Sequence, residues 1–221
     1  TGLFIDEGPV VQVRNAQGQV DVGKDRRPGR VWDGPLAVLV NRVSASASEI
    51  FAAAIQDYGR GLVIGEPTYG KGTVQNLISL DQLSGRNEAR HGQLKFTTAQ
   101  FFRINGGSTQ LKGVTPDIQF PASLDAEEYG EGVYDNALPW TQIEPADYQP
   151  VADLSTILVP LEARHRARIH ADAEFKFWEE DIADYRKQRK LTRVSLLESV
   201  RRAERDERET RRQEREALRV K

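Results

Sequence analysis

A chain of 221 residues with 38% hydrophobic content holds enough apolar side chain for one core, or one core with a smaller satellite. Its 31 basic and 33 acidic residues leave a net charge of −2, which removes any global electrostatic case for nucleic acid or an anionic membrane surface. The absence of cysteine excludes disulfides, thiolate metal sites and a cysteine nucleophile, and no apolar run reaches the ~18 to 20 residues that span a bilayer. No secretory signal opens the chain, and a threonine start with no methionine anywhere marks a processed form or a fragment.

In chain order, residues 10–13 and 36–40 read as strands, the second almost wholly apolar and therefore expected to be buried on both faces. Residues 41–43 turn the chain, and from Ser46 the pattern becomes helical. Ile50, Phe51, Ala54 and Ile55 recur at three-and-four spacing, with Gly59 placed to cap the C-terminus. Residues 61–65 form a second buried strand, and 73–80 look extended. Residues 95–104 and 110–119 flank Asn105-Gly106-Gly107, a hairpin signal. Strand, helix and strand at this spacing predict an α/β layered core occupying residues 1–121.

Residues 122–160 carry Tyr129, Tyr134, Trp140 and Tyr148 among Pro139, Pro145 and Pro150, and read as an ordered wrap, since aromatic side chains of that size find a surface to cover. Residues 161–221 form a charged helical C-terminal region. Glu204 with Arg208 and Glu207 with Arg211 are favourably ordered i,i+4 pairs, whereas Arg211 and Arg215 repel. Glutamates interleave with the arginines throughout residues 201–219, which argues against a basic arm for nucleic acid.

The densest chemical signal is Ser44-Ala45-Ser46-Ala47-Ser48-Glu49, with Gly70-Lys71-Gly72 following. Ser46-x-x-Glu49 is a capping box, which alone merely starts a helix. The capping and catalytic readings are compatible, because a serine at a helix N-terminus lies beside unpaired backbone N–H groups that hold a developing oxyanion; the Ala47 N–H is one such donor. A serine at a strand-to-helix junction and a lysine on a glycine-flanked turn supply a nucleophile and a base without histidine. His91 falls in a polar loop, and His165 and His170 in the helical tail. A lysine serves as a base only where burial or a neighbouring positive charge makes its neutral form accessible. Gly65 to Lys71 also matches a phosphate-binding loop, but Gly72 stands where Ser or Thr must follow, and a strand rather than a helix comes next.

The runs Asn41-Arg42-Val43-Ser44-Ala45-Ser46-Ala47-Ser48-Glu49-Ile50-Phe51, Gln56-Asp57-Tyr58-Gly59-Arg60 and Gly65-Glu66-Pro67-Thr68-Tyr69-Gly70-Lys71-Gly72-Thr73-Val74-Gln75 resemble the C-terminal processing peptidases, the serine-lysine peptidases of family S41, and specifically the bacterial tail-specific protease branch. Arg103-Ile104-Asn105-Gly106-Gly107-Ser108, Lys112-Gly113-Val114-Thr115-Pro116-Asp117 and Asp135-Asn136-Ala137-Leu138-Pro139-Trp140 extend the resemblance, which continues more weakly into the helical tail.

The resemblance implies a ClpP/crotonase-like layered peptidase core, Ser46 as nucleophile, Lys71 as general base, Gln75 orienting the lysine, and no metal or cofactor. Asp57 matches an aspartate implicated in some members. It lies eleven residues beyond Ser46, about 16 Å along a straight helix, so a structural role near the helix end is expected. The resemblance places the second oxyanion donor and a PDZ domain upstream of this chain, so the chain alone is expected to fold but lack activity. It further implies a periplasmic enzyme, at or near the inner membrane surface, that cuts envelope proteins bearing apolar C-terminal tails, with a lipoprotein adaptor as a partner. Two other classes stay open at this point: a catalytically silent peptide-binding member, and a nucleotide-binding enzyme built on Gly65 to Lys71.

Overall fold

The computed structural model describes residues 1–81, 91–125 and 128–219. It divides into two compact units, Thr1–Glu179 and Glu180–Lys221. In the first unit, strand β1 (Gly8–Asn15) turns back into β2 (Val20–Asp25) through Asn15, whose side-chain oxygen accepts the Gln17 and Gln19 amides at 3.0 and 2.9 Å. With β5 (Thr73–Ser79) and β6 (Gln93–Phe102) they form an antiparallel sheet in the order β2-β1-β6-β5. Gln12 faces Phe102, and Thr73 faces Gln100.

A second, parallel sheet has the order β3-β4-β7, from β3 (Ala37–Val40), β4 (Leu62–Gly65) and β7 (Ile118–Gln119). Helix α1 (Ala47–Asp57) makes the crossover from β3 to β4. Of the predicted periodic residues, Ala54 and Ile55 are fully buried and Ile50 and Phe51 only partly; Ala52 and Ala53 are buried too, and their small side chains let the helix approach Val40, Val63 and Val114 closely. A second cluster joins Ile5, Tyr58 and Ile104. β3 is less enclosed than its composition suggests: Leu39 is 76% exposed, and the strand stands at the edge of its sheet among the described residues.

The hairpin expected around residues 105–107 does not form. The turn itself is present, with the Arg103 amide donating to the Gly107 carbonyl at 2.7 Å, but the chain beyond it leaves β6. Thr109 and Gln110 are buried polar residues that bond the 70–72 turn instead of extending a ladder, and only Ile118–Gln119 of the predicted second arm is strand.

Residues 138–151 lie along the loops that follow α1 and β6. The Trp140 indole donates to the Ser108 carbonyl at 2.8 Å, and Lys112 Nζ sits 3.8 Å over its ring. Tyr148 meets Tyr58 edge-on at 5.4 Å, and the Val151 amide donates to the Tyr58 carbonyl at 2.7 Å. Helix α2 (Ser155–Ala171) brings His165 flat against Phe120, with centroids 5.2 Å apart. Phe175 and Trp178 of α3 (Ala173–Arg189) close the cluster. In the second unit, the expected repulsion of Arg211 and Arg215 on α4 (Glu198–Arg219) is relieved by separate partners: Arg211 pairs with Asp184, and Arg215 with Glu180 and Asp181 at 2.8 and 2.7 Å. Glu207 pairs with Arg211 at 3.5 Å as predicted.

Gly59 ends α1 at a φ of 58°, donating back to the Gln56 carbonyl, and a Cβ there would run into the Ala152 carbonyl. Gly59→Ala is therefore expected to destabilise the chain by about 2 to 4 kcal/mol, combining left-handed strain with displacement of the wrap. Denaturant unfolding measures this, and a loss under about 0.5 kcal/mol would contradict the packing described.

Candidate active site

β3 delivers the chain to a tight elbow before α1. The Ser44 amide donates to the Asn41 carbonyl at 2.9 Å, and the Asn41 side-chain oxygen accepts the Val43 amide at 3.1 Å. Ser46 follows at φ 57° and ψ −112°, a conformation that non-glycine residues seldom adopt and that surrounding contacts must impose. The imposing group is Glu49. Its Oε2 accepts the Ser46 N–H at 2.7 Å, while the Ser46 carbonyl accepts the Glu49 and Ile50 amides. The capping box expected from Ser46-x-x-Glu49 is thus present, with the Glu49 carboxylate on the Ser46 N–H. Ala47, the first residue of α1, is exposed, and its N–H has no helical carbonyl behind it.

The same carboxylate reaches the lysine turn. Glu49 is 0% exposed; Oε1 accepts the Thr68 hydroxyl at 2.6 Å and the Gly70 amide at 2.7 Å, and Oε2 accepts the Lys71 amide at 3.0 Å. Thr68 in turn accepts the Val114 amide at 2.7 Å. Gln110, also 0% exposed, accepts the Gly72 amide at 2.8 Å, and Thr109 donates to the Lys71 carbonyl at 3.1 Å. Gly70 has φ 93°, and a Cβ there would stand 2.9 Å from the Leu111 backbone, so the turn requires glycine at this point.

With the amides of residues 70, 71 and 72 occupied by Glu49 and Gln110, and a strand beginning at Thr73, the loop offers no nest for phosphate. The nucleotide-binding reading is set aside on that ground.

Lys71 Nζ donates to Thr73 Oγ1 at 2.8 Å and to Gln75 Oε1 at 3.2 Å, and Glu131 Oε1 lies 4.0 Å away. The Lys71 side chain is 24% exposed, so it is partly and not deeply buried. Gln75 contacts the lysine directly. No hydrogen bond links Lys71 Nζ to Ser46 among the described residues: the structure joins the two residues through their backbones and not through their side chains.

Asp57 lies at the far end of α1, where Arg103 grips its carboxylate with two nitrogens, Nε at 3.1 Å, and Asn105 donates at 2.8 Å. Burial is the leading influence that pushes its pKa up, against these hydrogen bonds and the Arg103 charge. It fastens α1 to the turn after β6.

Burial likewise raises the Glu49 pKa above its ordinary 4.5, opposed by the Thr68, Gly70, Ser46 and Lys71 hydrogen bonds. The folded chain thus holds this proton more tightly than the unfolded chain does. The residue favours folding most below about 4.5 and progressively less as the pH rises through its higher folded value. This buried carboxylate opposes stability at neutral pH while joining the serine elbow to the lysine turn.

Sequence reasoning treats Glu49 only as a capping residue and passes over Thr68, Thr109, Gln110 and Glu131. Of these, only Glu49 carries a local signal, its place three residues after Ser46.

Two family models account for most of the chain. The model of peptidase family S41 matches residues 1–120, and that of the C-terminal domain of tail specific protease matches residues 124–221. The chain belongs to peptidase family S41. It is 46% identical over 215 residues to the tail-specific protease of Haemophilus influenzae, covering 96% of this chain and 31% of that protein. It is 39% identical over 135 residues to the carboxy-terminal-processing protease of Bartonella bacilliformis, covering 60% of this chain and 29% of that protein. A solved photosystem II D1 C-terminal processing protease aligns at 35% identity and a TM-score of 0.45, covering 57% of this chain and 29% of that one. The chain spans about a third of the length of the curated relatives it matches.

Glu49→Gln replaces one acceptor oxygen by a donor facing two donors, and is expected to cost about 2 to 4 kcal/mol of stability. Hydrogen exchange is expected to show protection lost at the Gly70 and Lys71 amides. Unchanged protection at both would mean that the carboxylate does not hold the turn.

Proposed function

We propose that the complete protein is a serine endopeptidase in which Ser46 is the nucleophile and Lys71 the general base. The observation that carries this reading is the single buried carboxylate of Glu49, which receives the Ser46 N–H and the Lys71 N–H at 2.7 and 3.0 Å on one oxygen and so fixes the two backbones at a common point. The names of the relatives support a protease, and the exposed Ala47 N–H supplies an oxyanion donor.

In the reaction, Ser46 Oγ attacks a peptide carbonyl while neutral Lys71 takes the hydroxyl proton. Charge developing on the carbonyl oxygen is met by the Ala47 N–H. Collapse of the tetrahedral intermediate breaks the C–N bond, with the proton on Lys71 passing to the departing amine. Water, deprotonated by Lys71, then hydrolyses the acyl-enzyme and restores Ser46. Thr73 and Gln75 hold the lysine amine from the side, and Asp57 fixes the end of α1 through Arg103.

On the same reading the substrates are proteins with apolar C-terminal tails, presented by a PDZ domain elsewhere in the complete protein, where the second oxyanion donor also resides. The periplasm near the inner membrane surface is the proposed setting, with a lipoprotein adaptor as the proposed partner. These assignments rest on the motif resemblance. A catalytically silent peptide binder is the second reading, favoured by one observation: Lys71 Nζ is engaged by Thr73 and Gln75 instead of Ser46.

Ser46→Ala and Lys71→Ala in the complete protein are each expected to lower cleavage of a protein with an apolar C-terminus by at least about 10³-fold, with the melting temperature nearly unchanged. Tight substrate binding with no cleavage by the unmodified protein would favour the silent reading. Substantial cleavage by either variant would remove the dyad.

A further inference from the structure

We infer that Glu131 is a positioning residue that holds Lys71 away from Ser46, so that release of the short turn carrying it is what arms the site; this rests on the Ser46–Lys71 reading above. Glu131 opens a 3₁₀ turn, Glu131–Val133, and is 8% exposed. Its carboxylate has one ion-pair partner among the described residues, Lys71 Nζ at 4.0 Å, and accepts no hydrogen bond there. An ammonium has three N–H donors and no lone pair. In this arrangement two donors are taken by Thr73 and Gln75, and Glu131 faces the third. A lysine so held has Thr73, Gln75 and Glu131 as partners and no hydrogen bond to Ser46 among the described residues. Reaching Ser46 would strand a nearly buried carboxylate without its countercharge.

The turn is built into the site rather than resting beside it. The Glu131 amide donates to the Tyr69 carbonyl at 3.2 Å, and the Tyr69 amide donates to the Ser44 carbonyl at 2.9 Å, so one residue links the turn to the serine elbow. The Tyr129 ring meets Tyr69 edge-on at 5.6 Å. Burial, then the hydrogen bond with Tyr134, pushes the Tyr69 phenol up to about 12, which keeps it neutral and leaves Glu131 as the negative charge beside the lysine on this side. Glu49, the other nearby carboxylate, is committed to the backbone amides of Ser46, Gly70 and Lys71 and to the Thr68 hydroxyl.

The test compares the complete protein with its Glu131→Gln and Glu131→Ala variants, reading kcat/KM on a peptide with an apolar C-terminus over a series of salt concentrations. Removing the charge is expected to raise kcat/KM about two- to fivefold at low salt, the range set by a partly exposed ion pair. The gap is expected to narrow as salt screens the pair in the unmodified protein. Glu131→Asp, which keeps the charge, is expected to stay close to the unmodified rate. A merely structural turn would not distinguish Gln from Asp in this way. Rates unchanged or lowered in both Gln and Ala, at melting temperatures matching the unmodified protein, would overturn the inference. Ser46→Ala assayed alongside separates the two claims: activity surviving that change would sink the dyad itself, whatever Glu131 does.

Discussion

The candidate site depends on where one buried carboxylate sits. Glu49 is placed by the first turn of α1 and accepts four hydrogen bonds, from the Ser46, Gly70 and Lys71 amides and the Thr68 hydroxyl. Those four donors come from the serine elbow and from the segment leading into the lysine turn, so moving the carboxylate would loosen both at once. The helix can place it because its other inward residues, Ala52, Ala53 and Ala54, are small enough to bring α1 close to β4. Burying such a charge opposes stability at neutral pH, and only the full set of donors offsets the desolvation. The strained backbone of Ser46 is maintained by the same bonds.

The lysine is governed by different forces. Its backbone is fixed by Glu49 and Thr109, while its side chain is partly exposed and held by Thr73, Gln75 and Glu131. A fixed backbone and a partly exposed amine suit the proposed reaction, in which the lysine must reach Ser46. Peptidase family membership gives this arrangement its chemical context, and the proposed reaction asks of each residue only what its contacts allow.

Much of the fold was legible because apolar periodicity is a local signal. α1 and β4 follow from Ile50, Phe51, Ala54 and Ile55 and from residues 61–65. β2 was not legible, since Val20-Asp21-Val22-Gly23-Lys24-Asp25 mixes polar residues and glycine and becomes a strand only by pairing with β1. The 105–107 hairpin failed because Thr109 and Gln110 are recruited by the 70–72 turn, a competition that no short window contains. Ser46 and Lys71 stood out by motif. What joins them did not, because Glu49 meets the Gly70 amide 21 residues away, and Gln110 meets Gly72 across 38.

The most direct measurement is covalent labelling of the complete protein with a fluorophosphonate, with the modified residue identified by mass spectrometry. The account predicts a single adduct on Ser46 that is lost in the Lys71→Ala variant. An adduct on Ser44 or Ser48, or labelling of Ser46 that persists at full rate without Lys71, would contradict it.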